Sequence, residues 1–181
     1  MNDMNGKLEL IRTGRVWKFG DQINTDLIMP TEAMRVAVKE RGKFAFAASR
    51  PGWAALVKEG DLLVAGHNFG LGSGRPVGSV LRGCGIGGLI AESINGLCLR
   101  NCVNFSLPGI DCPGITGAFD EGDMAWVNFL SGEIRNLTKG TTLQGRSLEP
   151  LLANIVSAGG VLAMLINEDY IEDQPTNPAA D

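Results

Sequence analysis

The apolar positions of this chain fall into short runs. Leu62-Leu63-Val64-Ala65, bounded by Gly60-Asp61 and Gly66, predicts a buried strand. Gly87 to Ala91 predicts a second. Residues 8–19 alternate loosely through Leu8, Leu10, Val16, Trp17 and Phe19, as one or two strands around a turn at Thr13-Gly14. Met124, Trp126, Val127, Phe129 and Leu130, followed by residues 133–138, predict a hairpin around Ser131-Gly132. Leu27-Ile28-Met29 is a short apolar run stopped by Pro30. Helical expectations are Thr31 through Glu40, ended by Gly42; Pro51 to Lys58; and Val77 to Cys84, opened by Pro76. Ser93 is expected to cap a helix to Phe105, and Ser147 one from Leu148 to Ser157. Val161 to Ile166 is a last apolar element. Strands first, then βαβα, then a hairpin imply one mixed α/β domain over residues 1–171. Residues 172–181, rich in Pro, Asn, Asp and Ala, are expected to form a loose tail.

With 181 residues, 44% of them hydrophobic, the chain can bury the core of one domain. Its formal net charge of -4, with no basic block, points away from nucleic acid. The apolar runs are too short to span a membrane. Met1 to Gly6 has no apolar core after a basic stretch, so no signal peptide is expected. Cys84, Cys98, Cys102 and Cys112 lie in or beside apolar segments, which suits reduced, buried thiols in the cytoplasm. Cys98 and Cys102 share a helix face. With no C-x-x-C and His67 as the single histidine, neither a metal site nor an iron–sulfur cluster is expected on this chain.

The chemistry concentrates in His67-Asn68-Phe69-Gly70-Leu71-Gly72-Ser73-Gly74-Arg75, between the predicted strand and the helix that starts at Pro76. Glycines let backbone N–H groups approach a ligand, and a helix start favours negative charge. Ser73 adds a hydroxyl and Arg75 a planar cation suited to carboxylate or phosphate. An anion site with a nucleophile or base is one reading; a plain tight turn is the other. Gly83 to Gly88 contains G-x-G-x-x-G, but a helix precedes it and a strand follows, the reverse of the dinucleotide arrangement. Gly72 to Gly78 lacks the Lys and Ser/Thr of a P-loop. No G-x-S-x-G surrounds Ser73, because position 75 is Arg.

Three segments resemble one family. Gly14 to Asp21, with Asn24-Thr25-Asp26 and Ile28-Met29-Pro30, resembles the opening of the small subunits of 3-isopropylmalate dehydratase. Leu63 to Gly66, Asn68-Phe69-Gly70, Gly72-Ser73 and Arg75 resemble their signature loop. Ala91, Ser93, Arg100-Asn101 and Leu107-Pro108 resemble the helix and exit that follow. The match in order and spacing runs over residues 14–110.

The resemblance implies a single swivelling β/β/α domain of the aconitase superfamily. It implies a hydro-lyase of leucine biosynthesis that adds or removes water on a hydroxy-dicarboxylate. It also implies a partner large subunit carrying a [4Fe–4S] cluster, with no cofactor bound by this chain. By position, Ser73 is the base that takes the carbon-bound proton and Arg75 binds a substrate carboxylate. Asp26 is the acid that supports the site. Thr25, Gly72 and Gly74 join the substrate site, and Arg35, in the loop after Pro30, meets a distal carboxylate. The family usually reads Gly-Ser-Ser-Arg-Glu-His where this chain reads Gly72-Ser73-Gly74-Arg75-Pro76-Val77. Its Ser-Phe-Ala-Arg is Ser93-Ile94-Asn95-Gly96 here. Fewer polar and cationic groups point to a smaller or less charged substrate, or to a changed chemistry. A non-catalytic assembly or regulatory subunit, and an anion-binding domain, are the alternative readings of the same loop.

Overall fold

The computed structural model describes residues 10–172. Met1 to Gly6, Leu8 and the tail from residue 173 onward lie outside them. One seven-stranded sheet, in the order β4-β3-β2-β1-β5-β6-β7, organises the chain. The strands β1 (Ile11–Lys18), β2 (Asp61–Ala65), β3 (Ile86–Ala91) and β4 (Gly109–Asp111) run parallel to one another. On its other edge β1 pairs antiparallel with β5 (Met124–Asn128), followed by β6 (Glu133–Asn136) and β7 (Thr141–Gln144). The helices are α1 (Thr25–Ile28), α2 (Val77–Gly83), α3 (Gly96–Asn104), α4 (Ile115–Ala118), α5 (Pro150–Ser157) and α6 (Val161–Asn167).

Every residue of β2 and β3 is buried. That explains their unbroken apolar runs, because parallel strands are covered on both faces. Alternate residues divide between two cores. Trp17, Leu63, Ala65 and Leu89 join one with Phe19, Phe46, Trp53 and Leu81. Val16, Leu62, Val64 and Ile90 join the other with Val127, Phe129 and Ile134. In the first core Phe19 stacks on Phe46 at 4.1 Å between ring centres, and Trp53 meets both edge-on. The N-terminal end of β2 carries a buried acid. Asp61 Oδ2 accepts from Arg15 Nη2 (2.7 Å), Trp17 Nε1 (2.8 Å) and the Lys58 amide (3.0 Å). Burial opposes its ionisation, but those hydrogen bonds and the Arg15 charge outweigh it and hold the carboxyl below its ordinary range.

Several expectations need correction. Thr13-Gly14 is no turn: β1 runs straight through it, and a side chain at Gly14 would overlap the Gly60 carbonyl. Thr31 to Glu40 is not one helix. It forms a 3-10 turn at Thr31–Arg35, an extended break, and a second 3-10 stretch at Val38–Phe44. The segment after Pro51 helps itself only to the 3-10 turn Trp53–Leu56. The cap of α3 is Asn95, whose side chain accepts from the Leu97 amide, rather than Ser93. Glu149 precedes α5 and makes no capping bond, and Ser147 lies outside the helix. The hairpin is present as β5 and β6, and β7, α1 and α4 are additional. Among the described residues no single helix is long and apolar enough to cross a membrane.

Because β1, β2 and β3 are parallel, the segments that leave them emerge at one end of the sheet. Residues 19–26, 66–76 and 92–95 therefore meet, at the place where open α/β sheets gather their ligand-binding loops.

Candidate functional site

The glycine-rich loop is laced to both neighbours. On the β1 side the Gly66 amide donates to Gly20 O (3.1 Å), the Gln22 amide to His67 O (2.8 Å), the Gly70 amide to Ile23 O (2.7 Å) and the Thr25 amide to Leu71 O (2.9 Å). The His67 amide donates to Asp21 Oδ1 at 2.7 Å. On the β3 side the Phe69 amide donates to Ser93 O (3.0 Å) and the Asn95 amide to Phe69 O (2.9 Å). The Ser93 hydroxyl accepts from the Asn68 amide at 2.9 Å, which is what occupies the residue expected to cap α3. Gly70, at φ +76, lies against Cys98, and a Cβ there would overlap the sulfur.

This lacing brings the two polar segments together. Asn24 caps α1 by accepting from the Leu27 amide (2.8 Å). The next residue, Thr25, is 2% exposed, and its Oγ1 lies 3.2 Å from Ser73 Oγ. Asp26 follows and pairs through Oδ1 with Arg75 Nε at 2.9 Å. Arg75 Nη1 also donates to Met29 O at 2.6 Å, so the guanidinium spans both ends of α1. The Arg75 side chain is mostly covered, and that of Asp26 is mostly exposed.

Gly72, Ser73 and Gly74 are exposed. Among the described residues the amides of 72–75 donate to no protein acceptor. Successive N–H groups without a protein acceptor, beside an arginine, are the kind of donors from which anion-binding concavities are built. The helix start itself does not contribute as the sequence suggested. Pro76 has no N–H, the Val77 amide donates to Arg75 O (2.7 Å), and the Gly78 amide donates to Asn101 Oδ1 (2.8 Å). Ser73 does not cap α2 either, since the capping position is Pro76 and makes no side-chain bond. Arg35 is exposed on its 3-10 turn, and its side chain makes no hydrogen bond or ion pair among the described residues.

Sequence reasoning gave no role to two polar residues here. Asn101 serves α2 from α3; an asparagine on a helix whose neighbours Cys98 and Cys102 are buried was its signal. Glu92, at the end of β3, accepts from the Gly114 amide (2.6 Å), the Thr116 amide (2.9 Å) and Thr116 Oγ1 (2.6 Å). It anchors α4 rather than the loop. A cleft of about 170 Å³ lies elsewhere, between α3, β4 and the approach to α5, with Leu99, Asp111, Arg146 and Leu152 in its walls. Ser73 and Arg75 instead lie on an open surface.

The cysteines do not fit a metal or cluster. Among the described residues no group of three or more His, Cys, Asp or Glu is arranged to hold an ion. Cys98 and Cys102 are buried, with sulfurs 4.0 Å apart. The hydrogen bond with Cys98, and then burial, push the Cys102 thiol well up. Burial also raises Cys84 to about 12 and Cys112 to about 11.

Comparison with known proteins gives consistent relatives. The isopropylmalate/citramalate isomerase small subunit of Methanocaldococcus jannaschii is 42% identical over 156 residues, covering 84% of this chain and 92% of its own. The 3-isopropylmalate dehydratase small subunit of Methanosarcina acetivorans is 38% identical over 151 residues, covering 82% and 93%. A crystal structure of 3-isopropylmalate dehydratase (leuD) from M. jannaschii superposes with a TM-score of 0.82 at 32% identity, over 90% of this chain and 97% of that one. A comparison with family profiles gave no match.

Proposed function

The chain belongs to the family of 3-isopropylmalate dehydratase small subunits, the smaller part of a heteromeric hydro-lyase, and from that premise we propose that its Ser73 loop supplies the proton-transfer half of the reaction. Ser73 is the base that takes the proton from carbon. Arg75 and the amides of residues 72–75 bind a substrate carboxylate and stabilise negative charge at Ser73. Asp26 orients Arg75, and Arg35 meets the distal carboxylate. The observation that carries this reading is the shared exposed surface of the Ser73 hydroxyl, the four unengaged amides and the Asp26–Arg75 pair. A serine is a weak base in water, and such surroundings make it a usable one once solvent is excluded. An open surface on this chain needs a second one to exclude solvent, and the large subunit is that surface.

The family implies a [4Fe–4S] cluster. Among the described residues no group of thiols is arranged to hold it, and in this reading the large subunit carries it. The substrate is a hydroxy-dicarboxylate of the size of isopropylmalate or the smaller citramalate, the pair named for the M. jannaschii relative. Gly74, Pro76 and Val77 stand where the family pattern carries Ser, Glu and His, which favours the smaller.

The test is Ser73→Ala in the enzyme assembled with its large subunit, assayed on both acids. Loss of the base lowers kcat by roughly 10²–10⁴-fold, with a smaller change in KM and an unchanged melting temperature. Near-normal turnover would refute the assignment.

A further inference from the structure

Thr25 differs from its neighbours in the site. Arg75, Asp26 and Ser73 all reach solvent, whereas Thr25 is sealed at 2% exposure. Its backbone is fixed at both ends: the amide donates to Leu71 O (2.9 Å), and the carbonyl accepts from the Met29 amide (2.9 Å). Its hydroxyl makes one hydrogen bond among the described residues, to Ser73 Oγ at 3.2 Å.

That asymmetry sets the direction of the bond. A buried hydroxyl must donate its proton to a protein acceptor or leave it unpaired, which is costly. Ser73 Oγ is the acceptor within reach of Thr25. Ser73 is exposed, so its own proton can go outward to solvent or substrate. Thr25 therefore donates and Ser73 accepts. Gly72 keeps the contact open: a Cβ at that position would sit 3.1 Å from Thr25 Oγ1, on a backbone with φ +113.

We infer that Thr25 is a positioning residue for the Ser73 base, and not a substrate ligand. This rests on Ser73 being the base. When the C–H bond breaks, its electron pair forms the new C=C bond and the hydroxyl leaves with the C–O pair. The proton passes to Ser73 Oγ. Before that step Ser73 must carry negative charge. A hydrogen bond donated by Thr25 stabilises the charged form, lowers the pH at which it forms, and holds the oxygen in one rotamer. Among the described residues the Ser73 side chain makes no other hydrogen bond that would fix that rotamer.

The experiment compares Thr25→Val, Thr25→Ser, Ser73→Ala and the Thr25→Val/Ser73→Ala double variant. Each is assembled with the large subunit and assayed for kcat, KM and the pH profile of kcat. Thr25→Val keeps the branched shape and removes the donor. Its kcat falls roughly tenfold or more, up to the roughly 10²–10³-fold that one donor to an oxyanion supplies. KM stays close to normal, and the rising limb of the profile moves to higher pH. Thr25→Ser restores most of the rate. On the Ser73→Ala background Thr25→Val adds nothing. If Thr25→Val does not assemble, Thr25→Ala against Thr25→Ser makes the same comparison. Should Thr25→Val lower only the melting temperature while Ser73→Ala abolishes turnover, Thr25 is structural and the Ser73 assignment stands. Equal rates for the Ser and Val variants would likewise overturn the positioning role. Retained turnover in Ser73→Ala removes the base itself, and this inference with it.

Discussion

Replacing Asp61 by Ala should destabilise the chain and leave its chemistry alone. The carboxylate lies at the N-terminal end of β2, at the opposite end of the sheet from the Ser73 loop. Its Oδ2 holds three donors: Arg15, Trp17 and the Lys58 amide. With Asp61 gone, the Trp17 N–H and the Lys58 amide lose their acceptor, at about 1–3 kcal/mol each. The Arg15 side chain is 33% exposed and turns to water, so its share is small. Relief from burying a charge offsets part of the loss. The net cost is about 3 kcal/mol, which for a chain of this size lowers the melting temperature by about 6–12 °C. Asp61→Asn keeps an acceptor in place and costs less. The pH dependence is set by the direction of the shift. The folded carboxyl titrates below its unfolded value, so its stabilisation is complete above about pH 4. It is lost as the pH falls through the folded value. Thermal melts of wild type, Asp61→Ala and Asp61→Asn at neutral and acid pH test this. The variants should lose less stability on acidification than wild type does, with kcat and KM of the assembled enzyme unchanged. An unaltered melting temperature, or acid sensitivity equal to wild type, would refute the reasoning.

Arg75→Lys cannot keep bonds to Asp26 and Met29 O at once, and it loses the planar fork. Its KM should rise roughly 10–100-fold, the worth of one charged hydrogen bond, with little change in melting temperature; steady-state kinetics beside a thermal melt decide it. Gly70→Ala drives a methyl into the Cβ and sulfur of Cys98 on a left-handed backbone, and should cost about 2–4 kcal/mol by denaturant titration. The Cys84 thiol, raised to about 12 by burial and by the charges of Asp61 and Glu59, should resist iodoacetamide at neutral pH in the native protein and react on unfolding; mass spectrometry reads both.

The legible parts of the sequence were those where burial writes a pattern. The runs at 62–65 and 87–91 become β2 and β3 because both faces are covered. The segment Thr141–Gln144 was invisible as a strand, since β7 lies at the sheet edge and its only partly covered apolar residue is Leu143. Thr13-Gly14 looked like a turn because a glycine that admits a neighbouring backbone and one that bends the chain are the same letter. Residues 31–44 carry helical spacing but are held by the aromatic core around Phe46 and Trp53, and settle for 3-10 turns. In the site, Thr25, Asp26, Ser73 and Arg75 were all found as two short segments. Their pairing was not, because it depends on the register between residues 22–25 and 67–71, which tertiary hydrogen bonds set. The same holds for Asn101, which takes the helix-start amide that the sequence offered to a ligand.

The fit of the glycines has a consequence for how this loop can drift. Gly66 and Gly70 are hemmed in by Asp21 and Cys98, and Gly72 by Thr25. Gly74 is the exception: its nearest neighbour to a new Cβ is Leu97 at 3.9 Å, and its φ is ordinary. The segment thus has a fixed first half, committed to shape, and a position just past Ser73 where a lineage can gain or lose a side chain without disturbing the rest. The serine usual in the family at that position is absent here for no steric reason. A single substitution there leaves the packing of the loop as it is.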